Sequence, residues 1–207
     1  TKLYYNRDNS YHIEGGDIQV LSDKVIALGI SERTEPDAIA ELAKNIFKDK
    51  TNNFDTILAI DIPDERSFMH LDTVMTRVDY TKFAVHSHVM NISTIYEIKP
   101  SKNGDLKIKE LSMSLDKILE KYLNIDKVEL IKCGNGNRIA AEREQWSDGV
   151  NTICIKPGVV ICYDRNFVTN ETLRKHGIRV IEIPSCELSR GRGGPHCMSM
   201  ALNREEE

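Results

Sequence analysis

At 207 residues, with 40% hydrophobic and 29% charged side chains, the chain has the make-up of an ordinary soluble protein, long enough for one good core or two small domains. Its net charge of -4 is spread over interspersed acids and bases, so there is no basic face for a phosphate backbone and no nucleic-acid partner is expected. No apolar run approaches the roughly 18 to 20 residues of a membrane helix, and the N-terminus lacks a signal-peptide layout, so the expectation is a cytoplasmic protein with no membrane contact.

The chain does not begin with Met and opens on an aromatic, strand-like stretch, which leads us to expect a piece of something longer. Five cysteines (133, 154, 162, 186 and 197) are odd in number and contain no CxxC pair. Neither a disulfide framework nor a zinc site is indicated, and most of the five are expected to be buried small hydrophobes.

In chain order, a double glycine at 15–16 precedes residues 18–31, which read as two short strands hinged at the polar Ser22-Asp23-Lys24. Apolar residues at 38, 39, 42, 43, 46 and 47 make 35–48 an amphipathic helix, with Pro36 tolerated in its first turn. Residues 56–62 form a buried strand closed by Pro63, and 69–78 are expected as a further strand. The stretch 99–105 is a polar turn and 114–123 a helix. Strands then return at 151–155 and 159–163 around Pro157-Gly158, followed by a helix at 170–176 and a strand at 179–183. Two copies of one strand-strand-helix-strand unit predict a repeat architecture in which each copy relies on its neighbours for burial. We expect residues 1–207 to be one catalytic portion, with 99–127 an insertion between repeats.

Three clusters suggest chemistry. Leu188-Ser189-Arg190-Gly191-Arg192-Gly193-Gly194-Pro195-His196-Cys197 places a cysteine behind glycines and arginines. The glycines are expected to permit unusual φ values and close backbone approach, and the cations to favour a thiolate. Phe68-Met69-His70-Leu71-Asp72 sets a histidine and a carboxylate two residues apart, on one face if the segment is a strand. Ile13-Glu14-Gly15-Gly16-Asp17 adds two acids around the double glycine. Together they suggest covalent catalysis on a cation. Each has a plainer reading: Cys197 as a structural cysteine, His70 as a satisfied core histidine, Glu14 and Asp17 as turn residues, and Arg33, Arg190 and Arg192 as surface charges. His12, His86, His88 and His176 read as surface or edge residues, and Cys133 and Cys186 as structural.

Taken together, IEGGD (13–17), GISERTE (29–35), FMHLDTV (68–74), EREQWSDG (142–149), KPGVV (156–160) and SRGRGGPHCMSM (189–200) resemble the signatures of the arginine deiminases, in that family's order. The resemblance spans the chain but only about the C-terminal half of a family member. It implies a pentein-type α/β propeller of ββαβ units, here a partial one with about half the blades. It also implies hydrolysis of L-arginine to L-citrulline and ammonia, without metal or organic cofactor. By the same resemblance Cys197 attacks the guanidinium carbon, His70 is the acid and base, Asp72 holds the guanidinium and Glu14 orients His70. Arg33 and Arg192, with Gly191 close by, bind the substrate carboxylate, and Asp17 belongs to the acidic cluster. The family's other guanidinium-binding aspartate belongs to a Phe-Thr-Arg-Asp-like motif that Asn6-Arg7-Asp8 echoes only superficially. We therefore expect the chain alone to be nearly inactive, with an unpaired blade edge open to homo-oligomer formation. A hydrolase of agmatine or methylarginine, a non-catalytic propeller module and a cysteine peptidase remain as alternatives.

Overall fold

The structure, a computed structural model, describes residues 2–202. Its elements in chain order are β1 (Ile18–Val20), β2 (Val25–Ile30), α1 (Pro36–Lys48), β3 (Thr56–Asp61), β4 (Met75–Arg77), β5 (Lys82–Val85), α2 (Ser87–Ile92), β6 (Thr94–Pro100), β7 (Leu106–Glu110) and α3 (Leu115–Leu123). There follow β8 (Glu129–Lys132), α4 (Arg138–Gln145), β9 (Ile153–Lys156), β10 (Val159–Tyr163), α5 (Phe167–Lys175), β11 (Arg179–Ile183) and α6 (Ser185–Leu188). They form a mixed α/β fold in two compact units. The first runs to Leu71 and includes His88–Val128, and the second takes Asp72–Ser87 and the chain from Glu129 on.

The first unit holds a five-stranded sheet in the order β1-β2-β3-β6-β7. β1 and β2 are antiparallel, with Gln19 opposite Ala27, and β2 and β3 are parallel, with Ala27 opposite Leu58. A parallel return needs a crossover, and α1 supplies it. Ala38, Ile39, Leu42, Ala43, Ile46 and Phe47, the positions expected from the period, are the buried ones on α1. They pack with Ile26, Leu28, Ile57, Ala59 and Ile98 of the sheet. Fully burying a side chain of this size contributes roughly 1.5–3 kcal/mol, so this one helix face supplies much of the unit's cohesion. The aromatic start of the chain is not a strand. Tyr4 and Tyr5 pack instead against this core, and the Tyr4 hydroxyl donates to Asp49.

The second unit has two three-stranded sheets, β4-β5-β8 and β11-β10-β9. In the latter, β9 is antiparallel and β11 parallel to β10, with α5 as the crossover, which repeats the β1-β2-α1-β3 order. The pattern also occurs a third time: β4 is antiparallel to β5, and β5 is parallel to β8. The sequence hid this copy because the segment carrying α2, β6, β7 and α3 separates β5 from β8. Val78, Ala84, Ile131, Val160, Leu173 and Ile178 form this unit's core together with Cys133 and Cys162. Of the five cysteines these two are buried, Cys154 is half-buried, and Cys186 and Cys197 are exposed, so fewer are core residues than composition suggested. His86, expected at the surface, is only 2% exposed.

The motif at 142–149 explains how α5 starts. The helix lacks a side-chain cap from Asn166. Buried Glu144 accepts instead from Val168 N and Thr169 N at 2.9 Å each, and from Thr169 Oγ1 at 2.6 Å. Truncation of Glu144 to Ala leaves the buried Thr169 N–H and the part-buried Val168 N–H unpaired, so we expect a loss of about 1–3 kcal/mol in urea unfolding. An unchanged urea midpoint would remove Glu144 as the cap.

Candidate functional site

The sequence-derived residues fall into two clusters, one in each unit. In the first unit, His70 Nε2 lies 2.6 Å from Glu14 Oε2, and the other carboxylate oxygen, Oε1, accepts from Arg33 Nη1 at 3.4 Å. The His70 side chain is mostly enclosed, at 15% exposure, whereas Glu14 is open to solvent. Gly16 makes this possible, because a Cβ there would lie 2.8 Å from the His70 Cγ. The glycine is required by close approach of the ring.

Asp17 is fully buried beneath them. Its Oδ2 accepts from Ser31 Oγ at 2.8 Å and Thr34 Oγ1 at 2.7 Å, and its Oδ1 from Leu71 N at 2.8 Å. Burial pushes its pKa up, although these bonds act in the other direction. The GISERTE segment thus folds around one carboxylate. Gly29 leaves room for it, Ser31 and Thr34 donate to it, and the turn between them presents Arg33 to Glu14. With all three bonds spent on protein, Asp17 holds the loop and the residue next to His70.

The strand expected over 69–78 exists only as Met75–Arg77, and Leu71–Thr73 is a 3-10 turn. Leu71 to Thr76 are all buried, so burial does not alternate as it would along a half-buried strand. The same-face argument for His70 and Asp72 therefore fails. The chain passes from the first unit to the second between Leu71 and Asp72, and the two side chains have different partners.

In the second unit, Asp72 is 1% exposed and its Oδ2 lies 3.8 Å from Cys197 Sγ. The same oxygen receives His196 Nδ1 at 2.8 Å, whereas buried Oδ1 has no hydrogen-bond partner among the described residues. Asn151, fully buried, ties the pieces together. Its Nδ2 donates to the Asp72 carbonyl at 3.2 Å, and its Oδ1 accepts from Cys197 N at 3.0 Å. Tyr163 Oη donates to the Gly193 carbonyl at 2.8 Å, fixing the loop before the cysteine.

The glycines of that loop do not adopt positive φ; Arg192 does, at 66°. Their role is close approach. A Cβ on Gly193 would stand 2.5 Å from Cys197 Cβ, and one on Gly194 would meet Asn151 Oδ1. Gly191 is covered by the end of the Met198 side chain. Arg192 is exposed, and no hydrogen bond or ion pair holds its guanidinium among the described residues. Nor do cations depress the Cys197 thiol. Its pKa is pushed up to about 12, first by burial and second by the Asp72 charge, with Asp148 adding to it. Although the residue counts as exposed, its thiol faces carboxylates, and the local geometry accounts for the shift better than residue exposure. Asp148 is itself pushed up to about 6, by burial and by Asp72.

Sequence reasoning passed over His196, Asn151, Asp148 and Tyr163. The signal for His196 was its place next to Cys197, and that for Asp148 its place in the quoted EREQWSDG motif. Asn151 carried no signal. Among the described residues no group of three or more His, Cys, Asp or Glu is placed to hold a metal ion, and no helix is long and apolar enough to cross a membrane.

A dimethylarginine dimethylaminohydrolase (DDAH) structure from Pseudomonas aeruginosa, complexed with citrulline, matches this fold with a TM-score of 0.56. The match is at 17% identity and covers 91% of this chain and 55% of that one. SxtG, an amidinotransferase from Microseira wollei, matches with a TM-score of 0.63 at 16% identity, over 93% of this chain and 48% of that one. At such identities the likeness is one of fold. In sequence, the chain is 50% identical over 204 residues to an arginine deiminase of Treponema denticola, covering 98% of this chain and 50% of that protein. It is 52% identical over 208 residues to one from Staphylococcus epidermidis, covering 99% and 50%. The chain thus spans about half the length of the curated relatives it matches. The family model "Arginine deiminase" matches residues 1–204, and on this match and these identities the chain belongs to the arginine deiminase family.

Proposed function

We propose that the whole protein hydrolyses L-arginine to L-citrulline and ammonia through an amidino-cysteine intermediate, and that this chain carries the nucleophile and one guanidinium-binding carboxylate. The observation that carries the reading is buried Asp72, with one oxygen unpaired and the other 3.8 Å from the Cys197 thiol. A buried carboxylate oxygen without a partner is costly, and a planar cation with N–H donors satisfies it. Such a cation also offsets the Asp72 charge that, after burial, raises the Cys197 thiol pKa, so the thiolate forms more readily when its target arrives. Arginine itself thereby activates the thiol.

In the proposed reaction the Cys197 thiol gives its proton to solvent as the guanidinium docks, and the thiolate attacks the guanidinium carbon. His70, oriented by Glu14, protonates the nitrogen that leaves as ammonia, and the sulfur remains bonded to carbon. His70 then takes a proton from water as the water oxygen adds to that carbon, and the C–S bond breaks as the remaining hydroxyl proton passes to solvent, giving citrulline and the thiolate. Arg33 and Arg192 receive the substrate carboxylate, Gly191 lies beside Arg192 in the loop, and Asp17 acts by holding the His70 loop. The fold is proposed as a partial pentein-type propeller, because three sheets share the antiparallel-then-parallel strand pattern. In it, the insertion 99–127 lies between β5 and β8. The site is proposed to be cytoplasmic and free of cofactors, with self-association through sheet edges as its macromolecular contact.

The test is peptide mapping after limiting haloacetamidine, with a citrulline assay on the same sample. We expect Cys197 to be modified ahead of exposed Cys186 and of the buried Cys133 and Cys162, and we expect arginine to protect it better than agmatine. Citrulline production by the chain alone is expected to be near zero. Equal labelling of Cys197 and Cys186 would sink the reading.

A further inference from the structure

The Asp72 carboxylate is not empty-handed. His196 Nδ1 lies 2.8 Å from its Oδ2, so one of the two oxygens that a bidentate guanidinium needs is already taken by the chain itself. The imidazole is held at its root, since Pro195 before it is buried, His196 N donates to the Asn151 carbonyl at 3.4 Å, and Cys197 N follows onto Asn151 Oδ1. Its side chain is nevertheless 34% exposed, against 2% for that of Asp72, which leaves it a path into solvent. The geometry places a ring N–H where one guanidinium N–H belongs.

We propose that His196 is a positioning residue that acts as an internal stand-in for the substrate cation. In the empty site it occupies Asp72 Oδ2 and aligns the carboxylate, and it swings off when a guanidinium arrives to take both oxygens. The inference rests on the guanidinium reading of Asp72 and adds a competitor to it. Its consequence is that removing the ring N–H improves binding of a guanidinium, whereas damage to a site weakens it.

The test uses the 207-residue chain and methylguanidinium as the probe, read as protection of Cys197 from haloacetamidine, whose amidinium needs the same carboxylate and so competes with the probe, by peptide mapping at one fixed pH. In His196→Ala the half-protecting concentration is expected to fall about tenfold. His196→Asn, whose amide N–H stands where Nδ1 stood, is expected to restore the parent value. Should the Ala variant lose its far-UV signature, His196→Met fills the space without a donor and is expected to show the same gain. Equal protection in parent and variants, or weaker protection in the donor-free ones, overturns the proposal alone. Absence of protection in all of them removes the guanidinium reading of Asp72 and the proposal with it.

Discussion

In an Asp72→Asn variant, Cys197 is expected to react with neutral iodoacetamide at pH 8 about tenfold faster than in the parent chain. Burial is the larger cause of the raised thiol pKa and stays in place, while the carboxylate charge 3.8 Å away, the second cause, is removed. Each unit of thiol pKa recovered raises the thiolate fraction about tenfold while the pKa stays well above the working pH. With haloacetamidine the same variant is expected to move the other way, losing roughly a hundredfold, because the charge-assisted bonds that hold the amidinium against the sulfur are gone. Opposed changes are the signature of a carboxylate that both attracts the cation and suppresses the thiolate. Loosening of the fold would speed both reagents, and that outcome would remove Asp72 from the site.

Gly193→Ala is expected to cost about a hundredfold in the rate of Cys197 with haloacetamidine. The added methyl would lie 2.5 Å from Cys197 Cβ and 3.3 Å from its Sγ, so the nucleophile or the loop has to move. Neither moves freely: the Gly193 carbonyl is held by Tyr163 and the Cys197 amide by Asn151. A displacement of about 1 Å at the reacting atom is enough for a loss of this size. Peptide-resolved labelling rates measure it, and an unchanged Cys197 rate would show that the loop absorbs the methyl without moving the sulfur.

The local motifs were legible because each has a short-range cause. The spacing of Ala38, Ile39, Leu42, Ala43, Ile46 and Phe47 can satisfy only a helix with one buried face, and that face is buried. The polar turn at Ser22-Asp23-Lys24 lies between antiparallel β1 and β2, and Gly158, at φ 74°, turns the chain from β9 to β10. Residues 69–74 read as part of a strand because no Gly or Pro separates them from Met75–Arg77, yet Leu71–Thr73 forms a 3-10 turn before that strand. The third ββ-then-parallel-β sheet escaped notice because its return strand, β8, lies beyond the segment that adds β6 and β7 to another sheet.

The sequence by itself determined the family, through motifs kept in order along the whole chain, and nominated Cys197, His70, Asp72 and Glu14. It also determined α1, α3, most of α5 and the hairpin, whose periods and turns are properties of neighbours in the chain, but not α2, α4 or α6. Tertiary structure alone decided which charges surround the nucleophile. The arginines adjacent in sequence suggested a thiolate, but the groups adjacent in space are Asp72 and Asp148, and the enclosed sulfur beside carboxylates has its pKa pushed up rather than down. It alone separated Asp17, spent on Ser31, Thr34 and Leu71, from Asp72, which keeps a bare oxygen. It alone put His196 on that carboxylate. Electrostatics and hydrogen bonding act over a few ångströms of space, and no spacing along the chain reports which side chains folding will bring within that reach.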